Sequence, residues 1–423
     1  MSHKVIEQVV NAERRKLIVQ DLIPIYYPNL YVTFELSGNA LETTKKYLEH
    51  LALFEDFLSF SSIDLIQRLE QRPNSQYLTD SELSRFVSDA GFIKEALVKK
   101  YAEIRQHPTA YKSVGKIHAR QRIETVRDYL IFIYEKLGDY HTRYEAADDV
   151  KRRLNRKIKA ASPGWKRTRI DKIKGLTNWQ RERLLQIMHP DSAENPFSDK
   201  SIKVRNYIIL LLALDMGLRR SEILLIKVND IQWHSRQLSI VNLENKNIDP
   251  RTISPQFKTN ERVLVMSDDL YDAISQYESK LRYRYNQTGS SQARNHPFLL
   301  VAHRRNEGQP LSIKALDGVF PRVGKVAPEL AHIHPHMLRH DSVYTMLESM
   351  KEELEKLTPE DSTTQVQKTL TWMFGWSPDS NMPSLYGAKF WKEEADKAMK
   401  KRADKFKVIR ERVETEIYKE STK

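Results

Sequence analysis

The 423-residue sequence contains no cysteine, which excludes disulfide bonds and thiolate metal sites. It also has no long apolar run, because the longest, Tyr207 to Leu214, is far too short to span a bilayer. The first residues, MSHKVIEQVVNAERRK, carry no apolar signal core. Together these absences predict a soluble protein of the cytoplasm with no membrane partner. With 40% hydrophobic residues the chain can bury a substantial core, and its length predicts two domains.

Positive charge is concentrated in one short segment. The chain has 69 basic and 56 acidic side chains, a net charge of +13. Residues 1–150 carry 20 basic and 22 acidic side chains, whereas residues 151–174 carry 11 basic side chains and one Asp. Such a basic strip beside a nearly neutral region predicts a polyanion partner, although a solvated linker has the same composition. The candidate nucleic-acid contacts are Lys151, Arg152, Arg153, Lys166, Arg167 and Arg169.

The apolar periodicity predicts a helical N-terminal half. One helix begins near Asn39, and another covers residues 119–137 and stops at Gly138. Ser162-Pro163-Gly164 is a strong break signal within the basic strip. We therefore predict four regions: a helical domain (1–150), a basic linker (151–175), a second domain (176–400) and a charged tail helix (401–423).

The second domain mixes helices with a little strand. A buried helix contains Val204, Ile208 and Leu211 and ends at Gly217. Two short runs, 238–243 and 262–266, have strand character and predict a small antiparallel sheet. Helical patterns dominate the rest, so the expected fold is mainly α with a small antiparallel β-sheet.

Three segments of the second domain carry residues suited to phosphodiester chemistry. Metal-free cleavage needs a nucleophile, cations for the charge that builds on phosphate, and an acid for the leaving oxygen. Arginine suits the second task because its planar fork binds phosphate oxygens at two points. The segments are GLRRSEIL with Arg219 and Glu222, HPHMLRHD with His336, Arg339 and His340, and FGWSPDSNMPSLYGAKF with Trp376 and Tyr386. Each alone also fits an ordinary structural role: an exposed ion pair, a histidine satisfied in the core, or a packed tyrosine.

In this order and spacing, the three segments resemble the tyrosine recombinase (phage integrase) family. The family shows G-L-R-x-x-E, a hairpin lysine, H-x-L-R-H, and then G-H/W followed by a tyrosine about nine residues later. The resemblance implies that Arg219 and Arg339 clamp the scissile phosphate and that His336 assists proton transfer or binds phosphate. It further implies that Trp376 donates its indole N–H to phosphate and that Tyr386 is the nucleophile. Glu222 and His340 would support this site, and the helical first domain would be a DNA-binding, core-binding domain beside an α+β catalytic domain.

The catalytic lysine is the open position. FKTNERVLVMSDDL resembles the family pattern K-T-x-x-x-R-x-V-P-L-S and assigns Lys258 as the general acid, with Lys246 as the alternative. The connection 244–260 is longer than the family's tight hairpin, and Asp341 replaces a usually small residue after R-H.

The resemblance implies a site-specific recombinase that cleaves and rejoins double-stranded DNA through a 3′-phosphotyrosine, with no metal, ATP or other cofactor. Such an enzyme integrates, excises or resolves mobile genetic elements, works as a homotetramer on two paired DNA sites, and is cytoplasmic and nucleoid-associated. A type IB topoisomerase, a telomere resolvase and a non-catalytic DNA-binding relative remain alternatives. A metal-dependent nuclease is less consistent with the sequence, which places no carboxylate cluster near the histidines.

Overall fold

The computed structural model describes residues 3–10, 13–39, 41–71, 77–102, 112–160, 175–243, 248–283, 292–354, 356–383 and 388–421. The chain divides into two units, residues 1–168 and 169–423. The elements of the first unit are β1 (Lys4–Val10), β2 (Glu13–Gln20), β3 (Ile23–Pro24), α1 (Tyr26–Glu35), α2 (Leu41–Phe60), α3 (Leu65–Glu70), α4 (Asp80–Asp89), α5 (Lys94–Ala102), α6 (Lys116–Leu137) and α7 (Arg143–Ala160).

The first unit has the predicted helical core. Helices α2 and α6 are the two helices expected from the apolar periodicity, and α6 ends at Gly138 as predicted. Their apolar faces meet in one cluster, in which Phe54, Leu130 and Ile133 are fully buried.

An antiparallel sheet of three strands precedes these helices and was not predicted. Strand β1 pairs with β2 along its whole length, from Lys4 opposite Val19 to Val10 opposite Glu13. The sheet packs on the helices through Ile18, which is fully buried, and the amide of Asn29 bonds the backbone of Ile18. Strands that depend on such distant packing show only a weak local signal in sequence.

Helix α7 crosses the predicted domain boundary at residue 150. Its buried residues Ala147, Val150, Leu154 and Ile158 recur at helical spacing up to the end of the helix. The predicted linker 151–175 therefore starts inside a helix whose apolar face belongs to the core of the first unit.

The second unit is built around the buried helix α9. Its elements are α8 (Asn178–Met188), α9 (Lys200–Leu214), α10 (Arg220–Leu225), β4 (Ile231–Gln232), β5 (Gln237–Ile240), β6 (Arg262–Val265), α11 (Asp268–Gln276), α12 (Ile313–Asp317), α13 (Val319–Val326), α14 (Pro335–Leu354), α15 (Pro359–Phe374) and α16 (Ala388–Ser421). The predicted small sheet is confirmed: β5 lies between β4 and β6, both antiparallel to it, with Leu238 opposite Leu264. From residue 401 to Ser421 the predicted tail helix 401–423 is part of α16, and its last two residues lie outside the described residues.

No helix among the described residues is both long and apolar enough to cross a membrane.

Candidate active site

A buried carboxylate, Glu222 on α10, joins two of the three predicted segments to the start of strand β6. Both guanidinium N–H groups of Arg262 donate to its two carboxylate oxygens, each at 3.2 Å. The hydroxyl of Thr259 donates to the same carboxylate at 2.5 Å, and the backbone N–H of Arg219 does so at 2.7 Å. The carboxylate of Glu222 therefore holds both the start of α10 and the chain segment that leads into β6.

Glu222 is held in its ionised form. Burial alone would raise the pKa of this carboxyl group, but the charge and hydrogen bonds of Arg262, and then the charge of Arg339, hold its pKa below the usual value. Three guanidinium groups have nitrogens within 4 Å of its oxygens, since Arg219 lies at 3.8 Å, Arg262 at 3.2 Å and Arg339 at 3.7 Å. The cluster is therefore net positive, which favours binding of a phosphate.

Arg339 on α14 is the most deeply placed member of this cluster. Its side chain is 1% exposed, and its guanidinium donates to the backbone carbonyl of Gly217 at 2.5 Å and to that of Phe374 at 2.7 Å. The carbonyl of Gly217 lies in the turn before α10, and that of Phe374 is at the end of α15. Arg339 therefore connects the ends of two helices and has little freedom to move.

Gly217 permits this close approach. Its φ of +60° lies in the left-handed region, and a Cβ there would stand 2.3 Å from the ring of Phe374 and 2.8 Å from the hydroxyl of Ser342. No larger residue fits this turn without moving α15 away from Arg339.

Arg219, His336 and Arg339 line the same cleft, which has a volume of about 480 Å³. Arg219 is 27% exposed there, whereas His336 is exposed on the rim. The ring of His336 contacts that of His340 edge to face, with 4.9 Å between centroids, and His340 is buried behind it. The remaining lining residues are Leu218, Arg220, Ser221, Asp317, His334 and Pro335.

Trp376 lies behind this cleft and does not line it. Its ring stacks on Phe374 at 5.2 Å between centroids and lies 5.4 Å from the guanidinium carbon of Arg339. It is 3% exposed and lines a neighbouring cavity together with Asn260 and Gly375. In this structure Trp376 packs against Arg339 on the side away from the cleft and does not line the cleft.

Lys258 lies at the edge of the cluster. It is exposed, in the loop just before β6, and it directly precedes Thr259, whose hydroxyl bonds Glu222. It is not among the residues lining the cleft. Lys246 and Tyr386 lie outside the described residues.

Half of the predicted DNA contacts lie on α7 and half lie outside the described residues. Lys151 and Arg152 are exposed, and Arg152 and Arg153 both pair with Asp149, at 2.6 Å and 2.5 Å. Part of this positive charge is therefore neutralised within the helix. The undescribed candidates are Lys166, Arg167 and Arg169.

Arg262 and Asp341 are site residues that sequence reasoning did not assign. Arg262 was visible only as one letter of the lysine motif, and nothing in the sequence pairs it with Glu222. Asp341 was visible as a departure from the family pattern. Its carboxylate, fully buried, accepts hydrogen bonds from Arg181 and from the backbone N–H of Leu176.

Among the described residues, no group of three His, Asp or Glu side chains is arranged to hold a metal ion.

Comparison with known proteins finds a family similarity within the second unit. Residues 174–355 match the model of the phage integrase family. This segment of the second unit is therefore similar to the phage integrase family.

Individual relatives are distant. The chain is 26% identical over 185 residues to the tyrosine recombinase XerA of Pyrococcus horikoshii, an alignment that covers 42% of this chain and 55% of XerA. The chain thus spans about half the length of this curated relative.

Among solved structures, the XerH site-specific recombinase bound to a palindromic difH substrate is 14% identical, with a TM-score of 0.51 and coverage of 85% of this chain and 80% of XerH. The Tn1549 transposon integrase in complex with a circular intermediate DNA is 16% identical, with a TM-score of 0.50 and coverage of 85% and 94%. At these identities the two structures establish a shared fold.

Proposed function

We propose that the protein is a site-specific tyrosine recombinase that cleaves and rejoins double-stranded DNA through a 3′-phosphotyrosine intermediate at Tyr386. One observation carries the proposal: Arg219, Arg339 and His336 face a single cleft, and the ionised Glu222 orders the arginines beneath it. Two guanidinium groups that are fixed in place before the substrate binds can stabilise the negative charge that develops on the phosphate in the transition state.

In the proposed cleavage step, the phenolic oxygen of Tyr386 attacks phosphorus in line and His336 accepts the phenolic proton. The bond to the 5′ oxygen breaks, and Lys258 gives that oxygen a proton. Arg219 and Arg339 bind the non-bridging oxygens throughout. Rejoining runs the same steps in reverse with a new 5′ hydroxyl, so the energy of the phosphodiester bond is kept and neither ATP nor a metal ion is needed.

The indole N–H of Trp376 reaches a non-bridging oxygen in this proposal only if the segment after α15 shifts toward the cleft. Its ring stacks on Phe374 and packs against Arg339, which supports a role in holding the guanidinium of Arg339 in place.

The partner is proposed to be duplex DNA, with four copies of the chain assembled on two paired sites. The proposed location is the cytoplasm, where the DNA-bound protein is associated with the nucleoid. The two structural neighbours described above are complexes with DNA, which supports the DNA partner. The basic residues 151–174 support it independently through their charge.

A suicide substrate tests the proposal. A nick placed next to the cleavage site lets the freed 5′ end diffuse away, so that the covalent protein–DNA adduct accumulates and can be mapped. Adduct at Tyr386 is expected from the wild-type protein and none from Tyr386→Phe, which should still bind DNA. An adduct formed by Tyr386→Phe would remove this residue as the nucleophile.

Paired DNA substrates then separate recombination from the related chemistries. Strand exchange between two sites is expected of a recombinase. Relaxation of supercoils without exchange would indicate a type IB topoisomerase, and closure of hairpin ends would indicate a telomere resolvase.

A further inference from the structure

Arg262, the first residue of β6, has every guanidinium nitrogen committed to a protein acceptor. Two of them donate to Glu222, and Nε donates to the backbone carbonyl of Met373 at 2.7 Å. One also reaches the carbonyl of Asn260 at 3.3 Å. The side chain is 1% exposed and is not part of the cleft lining. Arg262 is therefore not placed to bind DNA.

The residues between Lys258 and Arg262 are fixed to the same cluster. The hydroxyl of Thr259 bonds Glu222, the backbone N–H of Asn260 donates to the carbonyl of Gly375 at 2.9 Å, and the amide of Asn260 donates to the carbonyl of Trp376 at 3.0 Å. Lys258 itself has an exposed side chain. Its backbone is thus held from the next residue onward, while its ammonium group remains free to reach a substrate.

Gly375 provides the space that this arrangement needs. It ends α15 at a φ of +62°, and a Cβ there would stand 2.6 Å from a guanidinium nitrogen of Arg262 and 3.0 Å from the Cβ of Thr259. Three chain segments therefore converge on Arg262: the start of α10, the loop after Lys258 and the end of α15.

We propose that Arg262 is a positioning residue that, with Glu222, sets the loop carrying Lys258 so that the lysine reaches the leaving 5′ oxygen. The inference rests on the proposed function, because it assumes cleavage at phosphorus with Lys258 as the acid. It assigns to Arg262 an effect on leaving-group protonation that a purely structural ion pair would not have.

A substrate with sulfur in place of the 5′ leaving oxygen distinguishes the two roles. A thiolate leaves without a proton, so a defect in delivery of the proton disappears on this substrate, whereas a defect in phosphate binding or folding persists. The assay is single-turnover adduct formation with saturating protein on matched 5′-oxygen and 5′-sulfur suicide substrates.

On the oxygen substrate, Lys258→Ala should lose about 10²–10⁴-fold in rate, the usual contribution of general acid catalysis. Arg262→Gln should lose about 10²-fold, as expected when a catalytic group is misplaced by an ångström. On the sulfur substrate both variants should approach the wild-type rate. Arg262→Lys keeps one charge and loses the fork, so it should show a smaller defect that is rescued in the same way.

Arg236→Gln is the matched control. Arg236 lies in the turn between β4 and β5 of the same sheet, is 53% exposed and pairs with Asp268. It should cleave both substrates as the wild type does.

Equal loss on both substrates by folded Arg262→Gln, or no loss on the oxygen substrate, would overturn the proposal. Circular dichroism and DNA binding establish whether the variants fold, and Arg262→Lys takes over the test if Arg262→Gln does not. Failure of both to fold would make Arg262 a structural residue only. A wild-type protein that forms no adduct on either substrate would instead contradict the proposed function.

Discussion

Asp341 and Arg181 form a two-point ion pair across the second unit. Nε of Arg181 donates to one carboxylate oxygen at 2.8 Å, and a terminal nitrogen donates to the other at 3.1 Å. The backbone N–H of Leu176 donates to the same carboxylate at 2.8 Å. Asp341 stands two residues after Arg339 on α14, so this pair ties the beginning of the second unit to the helix that carries the clamp.

Asp341→Asn should destabilise the second unit by about 1–3 kcal/mol, the range for a lost charge-assisted hydrogen bond, because Arg181 would keep only a neutral partner. Burial acts to lower the pKa of Arg181, but the hydrogen bonds and charge of Asp341, with smaller contributions from other acidic groups, together raise it, in agreement with a strong pair. Urea unfolding of Asp341→Asn, Arg181→Met and the double variant measures the coupling. If the two single changes add to within about 0.5 kcal/mol, the pair is not the source of the effect.

Arg219→Ala and Arg339→Ala should each slow cleavage by about 10²–10³-fold, the cost of removing one preorganised donor. They should differ in stability. The side chain of Arg219 is 27% exposed, whereas that of Arg339 is 1% exposed and satisfies two backbone carbonyls. Arg339→Ala should therefore also lose stability, by about 1–3 kcal/mol for each of the two buried carbonyls that lose their donor. Thermal unfolding beside single-turnover cleavage checks both, and near-normal cleavage by either variant would take that residue out of the site.

Lys258, and not Lys246, should behave as the general acid. Lys258→Ala should be strongly impaired on an ordinary substrate and recover with a 5′-sulfur leaving group, since a thiolate needs no proton. Lys246→Ala serves as the comparison and should respond equally to the two substrates. The opposite pattern would transfer the role to Lys246.

The basic segment should contribute directly to DNA affinity. Each phosphate that a protein neutralises adds about −0.9 to the slope of log K against log salt concentration, so replacing Lys166, Arg167 and Arg169 with Gln should flatten the slope by roughly one to three units. Affinity should fall for specific and nonspecific DNA alike, because phosphate contacts do not read sequence.

The control for this experiment is a triple variant on α7, with Lys151, Arg152 and Arg153 changed to Gln. Its effect should be smaller, because Arg152 and Arg153 already pair with Asp149. Binding titrations from low to high salt measure the slopes. An unchanged slope in the first variant would reduce the segment to a tether.

Glu222 should make the stability of the second unit depend on pH. Burial opposes ionisation, but Arg262 and Arg339 hold its folded pKa below the ordinary value of about 4.3. The stabilisation is therefore complete above that unfolded value and is lost as the pH falls through the folded pKa. The difference in unfolding free energy between wild type and Glu222→Gln should shrink from pH 7 toward pH 3. A constant difference would mean that the carboxylate is not paired as described.

The sequence predicted those elements of the fold whose apolar residues recur at regular local spacing. Helices α6 and α9 were visible because apolar residues recur every three or four positions, and β5 and β6 because each lies in a short run of strand character. The first sheet was missed because its strands depend on packing through Ile18. The predicted boundary at residue 150 falls inside α7, because the buried apolar residues of that helix continue to Ile158.

The motifs located the site, but they did not reveal how its parts connect. Arg219, His336 and Arg339 do share a cleft. The main partner of Glu222, however, is Arg262, forty residues away, and only the folded chain brings the start of β6 to Glu222. In the same way, the sequence shows Asp341 only as a departure from the family pattern, and the fold is needed to identify Arg181 as its partner.

Glu222 serves as the counterion of Arg219, Arg262 and Arg339 together. Three positive charges less one negative charge leave an excess of two in this cluster, so the unit folds against a local repulsion. A phosphodiester, or an inorganic oxyanion such as sulfate, neutralises that excess, and by mass action any anion that binds only the folded form raises the melting temperature. If DNA is the substrate, as proposed above, its phosphates would balance this excess positive charge, and the unit should have its highest melting temperature when DNA is bound.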